Sequence, residues 1–94
     1  MVTEKQFTQQ VIDAARYMGY MVYHTWRSFH SVAGFPDLLM IREHRVIVAE
    51  LKSARGIVTE QQKVWLDAFA LAGVETYIWY PDNWEDLVEV LRGG

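Results

Sequence analysis

Residues 37–52 read Asp-Leu-Leu-Met-Ile-Arg-Glu-His-Arg-Val-Ile-Val-Ala-Glu-Leu-Lys. Two runs rich in apolar residues, 37–42 and 45–52, are separated by only Glu43 and His44, which predicts a β-hairpin, although Glu-His is not a favoured pair for so tight a turn. Because side chains alternate along a strand, both faces of this hairpin are apolar. A hairpin of this kind is expected within a sheet that is covered on both faces.

The register of the hairpin is expected to bring charged residues together at its open end. With residues 43–44 as the turn, Asp37 lies opposite Glu50, and directly opposed side chains project to the same face of the sheet. Lys52 follows Glu50 by two residues and therefore points to that face as well. Two opposed carboxylates destabilise each other unless a cation lies between them.

The cation that this arrangement requires is predicted to be Mg²⁺, which takes oxygen ligands and often binds through one or two carboxylates plus substrate phosphates. Asp37 and Glu50 are the predicted ligands, and the main-chain carbonyl of Leu51 could add another. Lys52 would orient or activate a water molecule, or stabilise charge that develops on a phosphate. The structural alternative is that Asp37 caps a loop, Glu50 pairs with Lys52 and nothing binds.

The rest of the chain adds helices and strands around the hairpin. Helical spacing of apolar residues and breaks at glycine and proline predict a helix over about 4–18, a strand over 20–25, a helix from 59 to 73, a strand over 74–80 and a helix after 81–83. Thr3 and Thr59 each begin a capping box. A right-handed crossover makes the last strand parallel to its neighbour. The predicted fold class is α/β, with the order α-β-β-β-α-β-α and a mixed four-stranded sheet with helices on both faces.

Length and composition narrow the possible functions. The 94 residues suffice for one domain, taken as 1–94, and the absence of cysteine excludes disulfides, thiolate zinc sites and cysteine nucleophiles. Neither a membrane-length apolar run nor a secretory signal is found, so a cytoplasmic protein without a membrane partner is expected. The net charge is −3, but residues 1–58 carry +2 and residues 59–94 carry −5. The basic excess of the first part could also be an ordinary solvated surface.

Two motifs in this sequence resemble those of a known family. Gly34-Phe35-Pro36-Asp37, followed by Glu50-Leu51-Lys52, resembles the Pro-Asp…Glu-x-Lys signature of the PD-(D/E)XK nuclease superfamily. The sequence Thr59-x-x-Gln62-x-x-Trp65 narrows the resemblance to stand-alone VRR-NUC domains of the kind found in bacteriophages. The resemblance extends from Glu4 to Pro81, and it implies the restriction-endonuclease-like core of that superfamily.

The resemblance implies a role for each matching residue. Asp37 and Glu50 would bind the metal, and Lys52 would be the catalytic lysine. Gln62 would lie beside the site as a further catalytic residue, and the first helix would bring Glu4 to the site as an acidic residue and possible ligand. A glutamate in a first helical turn also simply suits the helix dipole.

Several residues are candidates for DNA binding. Arg27 and Arg55 flank the predicted site and could contact phosphates. His24, where the first strand enters a loop, is a weaker candidate and could equally be a structural histidine. Trp26 and Phe29 could stack on exposed bases, or simply pack against the domain.

The activity implied by the resemblance is metal-dependent, structure-selective endodeoxyribonuclease activity that leaves 5′-phosphate and 3′-hydroxyl ends. A Holliday-junction resolvase is the first expectation, with Mg²⁺ as cofactor and Mn²⁺ able to substitute. The expected partner is branched DNA, and a homodimer would supply paired cuts across a two-fold axis. A viral protein of this kind would act in the host cytoplasm. The alternatives are a nicking or restriction-like nuclease on duplex or flapped DNA, and a catalytically idle DNA-binding module on the same fold.

Overall fold

The order of secondary-structure elements is the predicted one. The protein is represented by a computed structural model that describes residues 2–25 and 32–93. The elements are α1 (Glu4–Tyr17), β1 (Met21–His24), β2 (Leu38–Arg42), β3 (Arg45–Leu51), α2 (Glu60–Leu71), β4 (Glu75–Trp79), a 3₁₀ turn (Pro81–Asn83) and α3 (Trp84–Arg92). Within the described ranges, no helix has the length and apolar character that crossing a membrane requires.

Both long helices begin at the capping boxes that the sequence predicts. The Thr3 hydroxyl accepts a hydrogen bond from the Gln6 N–H, and Gln6 Oε1 accepts one from the Thr3 N–H. The same exchange occurs between Thr59 and Gln62. These bonds satisfy N–H groups that would otherwise lack partners in the first turn of each helix. The two helix starts are therefore encoded locally.

The sheet has the order β1-β2-β3-β4, with the first three strands antiparallel and β4 parallel to β3. Leu38 pairs with Ala49 and Arg42 with Arg45, which is the predicted register of the hairpin. The turn is made by placing Glu43 at φ 54°, a left-handed conformation that costs energy for a residue other than glycine. The mixed sheet confirms the predicted fold class.

The two faces of the sheet are covered unequally. α1 and α3 pack on one face and form the core there, whose fully buried side chains include Phe7, Val11, Leu38, Met40, Ile47, Leu87 and Leu91. On the other face, Val48 is buried but Ile41 and Val46 are 37% and 38% exposed. The prediction of a hairpin buried on both faces is therefore wrong for its turn end. The reason is that α2 covers this face at the open end of the hairpin, where Gln62 donates a hydrogen bond to Glu50, and leaves Ile41 and Val46 at the turn end partly exposed.

Opposed arginines at the turn end of the hairpin are held by separate partners. Arg42 donates to the main-chain oxygens of Met18 at 3.0 Å and Leu91 at 3.1 Å, near the C-termini of α1 and α3. Arg45 pairs with Glu75 of β4, with Nη2 2.8 Å from Oε1. Hydrogen bonds from Arg45 lower the pKa of Glu75 below its ordinary value. These contacts fasten α1, α3 and β4 to the turn end of the hairpin.

Candidate active site

Asp37 immediately precedes β2 and is fixed by main-chain groups of the two neighbouring strands. Its Oδ2 accepts a hydrogen bond from the Leu51 N–H at 2.8 Å. Its own main-chain oxygen accepts one from the Thr25 N–H at 2.9 Å, and the Thr25 hydroxyl donates to the Pro36 oxygen at 2.8 Å. The side chain remains partly exposed. The strand ends therefore hold this carboxylate at the open end of the hairpin.

Glu50 is the buried member of the carboxylate pair, with only 1% of the residue exposed. Its Oε2 accepts a hydrogen bond from Gln62 Nε2 at 2.9 Å and lies 3.3 Å from Lys52 Nζ. Its Oε1 is buried and has no hydrogen-bond partner in the part of the chain that the structure describes. An unsatisfied buried oxygen is costly, and a bound cation is one way to satisfy it. Oε1 is therefore a candidate metal ligand.

The electrostatic environment of Glu50 opposes its ionisation. Burial contributes most, followed by the charge of the neighbouring Asp37, and together they raise the pKa of Glu50 to about 7. Lys52 acts in the opposite direction. An ionised Glu50 thus destabilises the folded protein near neutral pH. A divalent cation beside the two carboxylates would favour their ionised forms.

The donor set suits a hard divalent cation, because carboxylate oxygens are the ligands that Mg²⁺ prefers and two of them are sufficient. Among the described residues, no group of three or more His, Asp or Glu side chains is arranged as a metal site. Glu4 and Asp37 both line a cleft between α1 and β1, and Glu4 is exposed. The ligand roles predicted for Glu4 and for the Leu51 carbonyl remain predictions.

Lys52 is held by contacts with both its main chain and its side chain. Its N–H donates to the Trp79 oxygen of β4 at 3.0 Å, and its side chain is only 10% exposed. The loop after β3 covers the side chain so closely that a Cβ at Gly56 would lie 3.0 Å from Lys52 Cβ and 3.1 Å from Cδ. The Tyr80 hydroxyl donates to the Gly56 oxygen at 3.2 Å. The ammonium group is thereby kept beside Glu50.

Gln62 connects the capping box of α2 to the site. Its Oε1 accepts a hydrogen bond from the Thr59 N–H at 2.9 Å, which leaves Nε2 to donate to Glu50. The capping box therefore determines which end of the side-chain amide faces the carboxylate. The structure places this glutamine beside the predicted metal ligands, as the resemblance implies.

The loop before Asp37 packs tightly on α2. The Phe35 ring lies edge-on to Trp65, with ring centroids 5.1 Å apart, and to Phe69, at 5.8 Å. Gly34, at φ 90°, lies so close to α2 that a Cβ there would be 2.5 Å from the main-chain carbon and oxygen of Gln61. The two sequence motifs thus form one packed unit.

Sequence reasoning assigned no role to Phe35 or Gly56. For Phe35 the available signal was an aromatic residue inside the Gly-x-Pro-Asp motif. For Gly56 the signal was a glycine four residues after the predicted catalytic lysine.

The structure locates some of the predicted DNA-binding residues. His24, at the end of β1, lines the cleft that also contains Asp37. Arg55 is exposed in the loop after β3. Arg27, Trp26 and Phe29 lie outside the described residues. Contact of any of these residues with DNA remains a prediction.

The fold is similar to that of solved VRR-NUC structures. One, named "VRR_NUC domain", has a TM-score of 0.78 and 18% sequence identity, and the match covers 95% of this chain and 97% of that chain. Another, named "VRR_NUC domain protein", has a TM-score of 0.73 and 19% identity, with coverage of 94% and 86%. No family model and no curated protein sequence matches the chain. The chain therefore has the VRR-NUC fold, as the resemblance implied.

Glu50→Gln should change how the stability of the metal-free protein depends on pH. The pKa of Glu50 is raised to about 7 from 4.5, so its stabilising contribution is complete below pH 4.5 and is lost as the pH rises through 7. Between about pH 5 and pH 8 the wild type should lose about 2–3 kcal/mol that the variant does not lose. Urea unfolding in EDTA measures this difference.

Glu85→Gln removes a carboxylate at an exposed site on α3 and serves as the control. Its stability should depend on pH in the same way as that of the wild type. If the free energies of unfolding of wild type and Glu50→Gln differ by the same amount at about pH 5 and pH 8, the assigned environment of Glu50 is wrong.

Gly34→Ala should disturb the packing of the loop on α2. Gly73→Ala is a matched control, because Gly73 has φ 89° but a Cβ there would meet no described residue within 4 Å. The control should cost about 1 kcal/mol for the backbone conformation alone. Gly34→Ala should cost about 1–3 kcal/mol more and should shift the NMR signals of the Gln62 side-chain amide. Equal losses of stability would show that the close contact is unimportant.

Proposed function

We propose that this protein is a metal-dependent endodeoxyribonuclease that hydrolyses DNA phosphodiester bonds, and that its preferred substrate is the Holliday junction. The observation that carries the proposal is the arrangement of Asp37, Glu50 and Lys52. Glu50 Oε1 is buried and lacks a partner among the described residues, and Asp37 helps to raise the pKa of Glu50. Lys52 Nζ lies 3.3 Å from Glu50 Oε2. The similarity of fold to structures named VRR_NUC domains supports a nuclease of the PD-(D/E)XK kind.

Asp37 and Glu50 would hold the cation, expected to be Mg²⁺ with Mn²⁺ able to substitute, and Glu4 and the Leu51 carbonyl are possible further ligands. When bound, such a cation neutralises charge on the phosphate and lowers the pKa of water. Gln62 would keep Glu50 oriented by donating to Oε2, which leaves Oε1 available.

Lys52 would act on the attacking water and on the phosphate. Its ammonium group can donate hydrogen bonds that orient a water molecule and stabilise charge on phosphoryl oxygens. Because the side chain is largely shielded from solvent, its charge acts more strongly than it would in water. Its backbone bond to β4 and the cover provided by Gly56 hold it in place without substrate.

The preference for a four-way junction follows from symmetry. Such a junction has approximate two-fold symmetry and requires two cuts, which a two-fold homodimer with two sites would provide. The sheet face opposite the core exposes Met21 and Tyr23 to 76% and 60%, next to the partly exposed Ile41 and Val46. Contiguous exposed apolar surface of this kind is typical of interaction sites.

Two alternatives differ in what the site does. A nicking or restriction-like nuclease would use the same residues on duplex or flapped DNA. A catalytically idle DNA-binding module is less favoured, because a carboxylate pair with one buried member opposes the binding of phosphates and has no use in a protein that only binds them.

Asp37→Asn and Glu50→Gln should each abolish the cleavage of labelled DNA, because each removes a ligand charge. Lys52→Ala should lower the single-turnover rate by about 10²–10⁴-fold with little change in DNA affinity. The assay uses gel analysis with Mg²⁺, Mn²⁺ or EDTA, and circular dichroism verifies folding. Arg92→Ala, on the surface of α3, should cleave like the wild type. Cleavage by both carboxylate variants would overturn the assigned site.

Light scattering at micromolar concentration should show a dimer, and the dimer should cut a four-way junction faster than a linear duplex of matched sequence. If the exposed sheet face is the interface, Val46→Glu should weaken the dimer, because burying a charge in an apolar contact is costly. A stable monomer that cuts both substrates equally would refute the resolvase assignment and leave a general nuclease.

A further inference from the structure

We propose that the cleft between α1 and β1 binds the phosphate backbone of one DNA strand beside the cleavage site. The inference rests on the proposed nuclease function and extends it by assigning the path of the substrate strand. It also assigns DNA contacts to Lys5 and Arg16, two residues of α1.

The cleft is continuous with the candidate active site. It has a volume of about 820 Å³ and lies between α1 and β1, an edge strand of the described sheet. Asp37 lines it, together with His24 and Thr25 at the end of β1. Because His24 pairs with Leu38, this end of the cleft adjoins the open end of the hairpin. A strand bound at the carboxylates can therefore continue directly into the cleft.

Basic residues of α1 line the cleft at both ends of the helix, whereas its carboxylates lie at one end. Its carboxylates, from Glu4 and Asp37, lie at the end next to the hairpin opening, where a metal ion would offset them. Lys5 directly follows Glu4 at that end, and Arg16 lies in the last turn of α1. In the described ranges neither forms an ion pair, whereas Arg45, Lys52 and Arg92 each do. With a metal ion at the carboxylates, Lys5 and Arg16 complement a polyanion that runs from the site along α1.

The spacing of the two cations suits a nucleic-acid strand. Lys5 and Arg16 are eleven residues apart, so they are separated by about 16 Å along the helix at 1.5 Å per residue. A stacked strand advances about 3.4 Å per nucleotide, so the two side chains would contact phosphates about four to six nucleotides apart.

The first test measures DNA binding in EDTA, so that no cleavage occurs, by fluorescence anisotropy of a labelled branched DNA at several salt concentrations. Lys5→Ala and Arg16→Ala should each reduce the slope of log affinity against log salt by about 0.7–0.9. Lys63→Ala is the matched control, because Lys63 is an exposed lysine of α2 and does not line the cleft. Unchanged slopes for both cleft variants, or an equal reduction in the control, would overturn the proposal.

The second test locates the contacts on the DNA. Single phosphates are replaced by neutral methylphosphonates, and binding by wild type and variants is compared. A phosphate that contacts Lys5 should, when replaced, lower the DNA affinity of the wild type but not that of Lys5→Ala, and the same holds for Arg16 and its variant. The two phosphates found in this way should lie about four to six nucleotides apart. The same phosphate for both variants, or none for either, would overturn the path along α1.

These tests are independent of catalysis. If the wild type binds DNA through the cleft but cleaves nothing with Mg²⁺ or Mn²⁺, the nuclease proposal fails and the cleft proposal stands. If the wild type cleaves DNA and the cleft variants bind with unchanged slopes, the cleft proposal fails and the nuclease proposal stands.

Discussion

Glu50 is buried beside Asp37, and the arrangement of the site follows from the energetic cost of two carboxylates in that position. Burial and the neighbouring carboxylate raise the pKa of Glu50 to about 7, so the ionised form opposes folding near neutral pH. Lys52 and Gln62 both offset this cost at Oε2. They leave Oε1 without a partner among the described residues. The proposed metal site rests mainly on this missing partner.

Like charges lie opposite each other at both ends of the hairpin, but the two ends differ in how fully these charges are paired. At the turn end, Arg42 and Arg45 bind helix-terminal carbonyls and Glu75, so that their partners come from the chain itself. At the open end, the carboxylates are incompletely compensated. The contacts at the turn end therefore have a structural role, because they hold α1, α3 and β4 against the hairpin. The open end retains unsatisfied charge, which in a folded protein is tolerated where function requires it.

α1 and α2 each pack against the sheet and also border the candidate site. The N-cap exchange that begins α2 also orients the Gln62 amide toward Glu50, and the Phe35–Trp65 contact fastens the loop that carries Asp37. α1 buries Phe7 in the core while its exposed side borders the cleft. In a chain of 94 residues, few elements are available, and the same helices stabilise the sheet and surround the site.

The sequence by itself determined the features that depend on local pattern. The capping boxes fixed where α1 and α2 begin, and the two-residue turn fixed the hairpin register, because side chains alternate with a period of two. The juxtaposition of Asp37, Glu50 and Lys52 followed from that register. Only the tertiary structure decided that Ile41 and Val46 remain partly exposed, that Gly34 touches α2 and that a cleft separates α1 from β1. These features depend on how far each helix extends over the sheet, and that distance is set by packing between residues remote in sequence, which local periodicity does not encode.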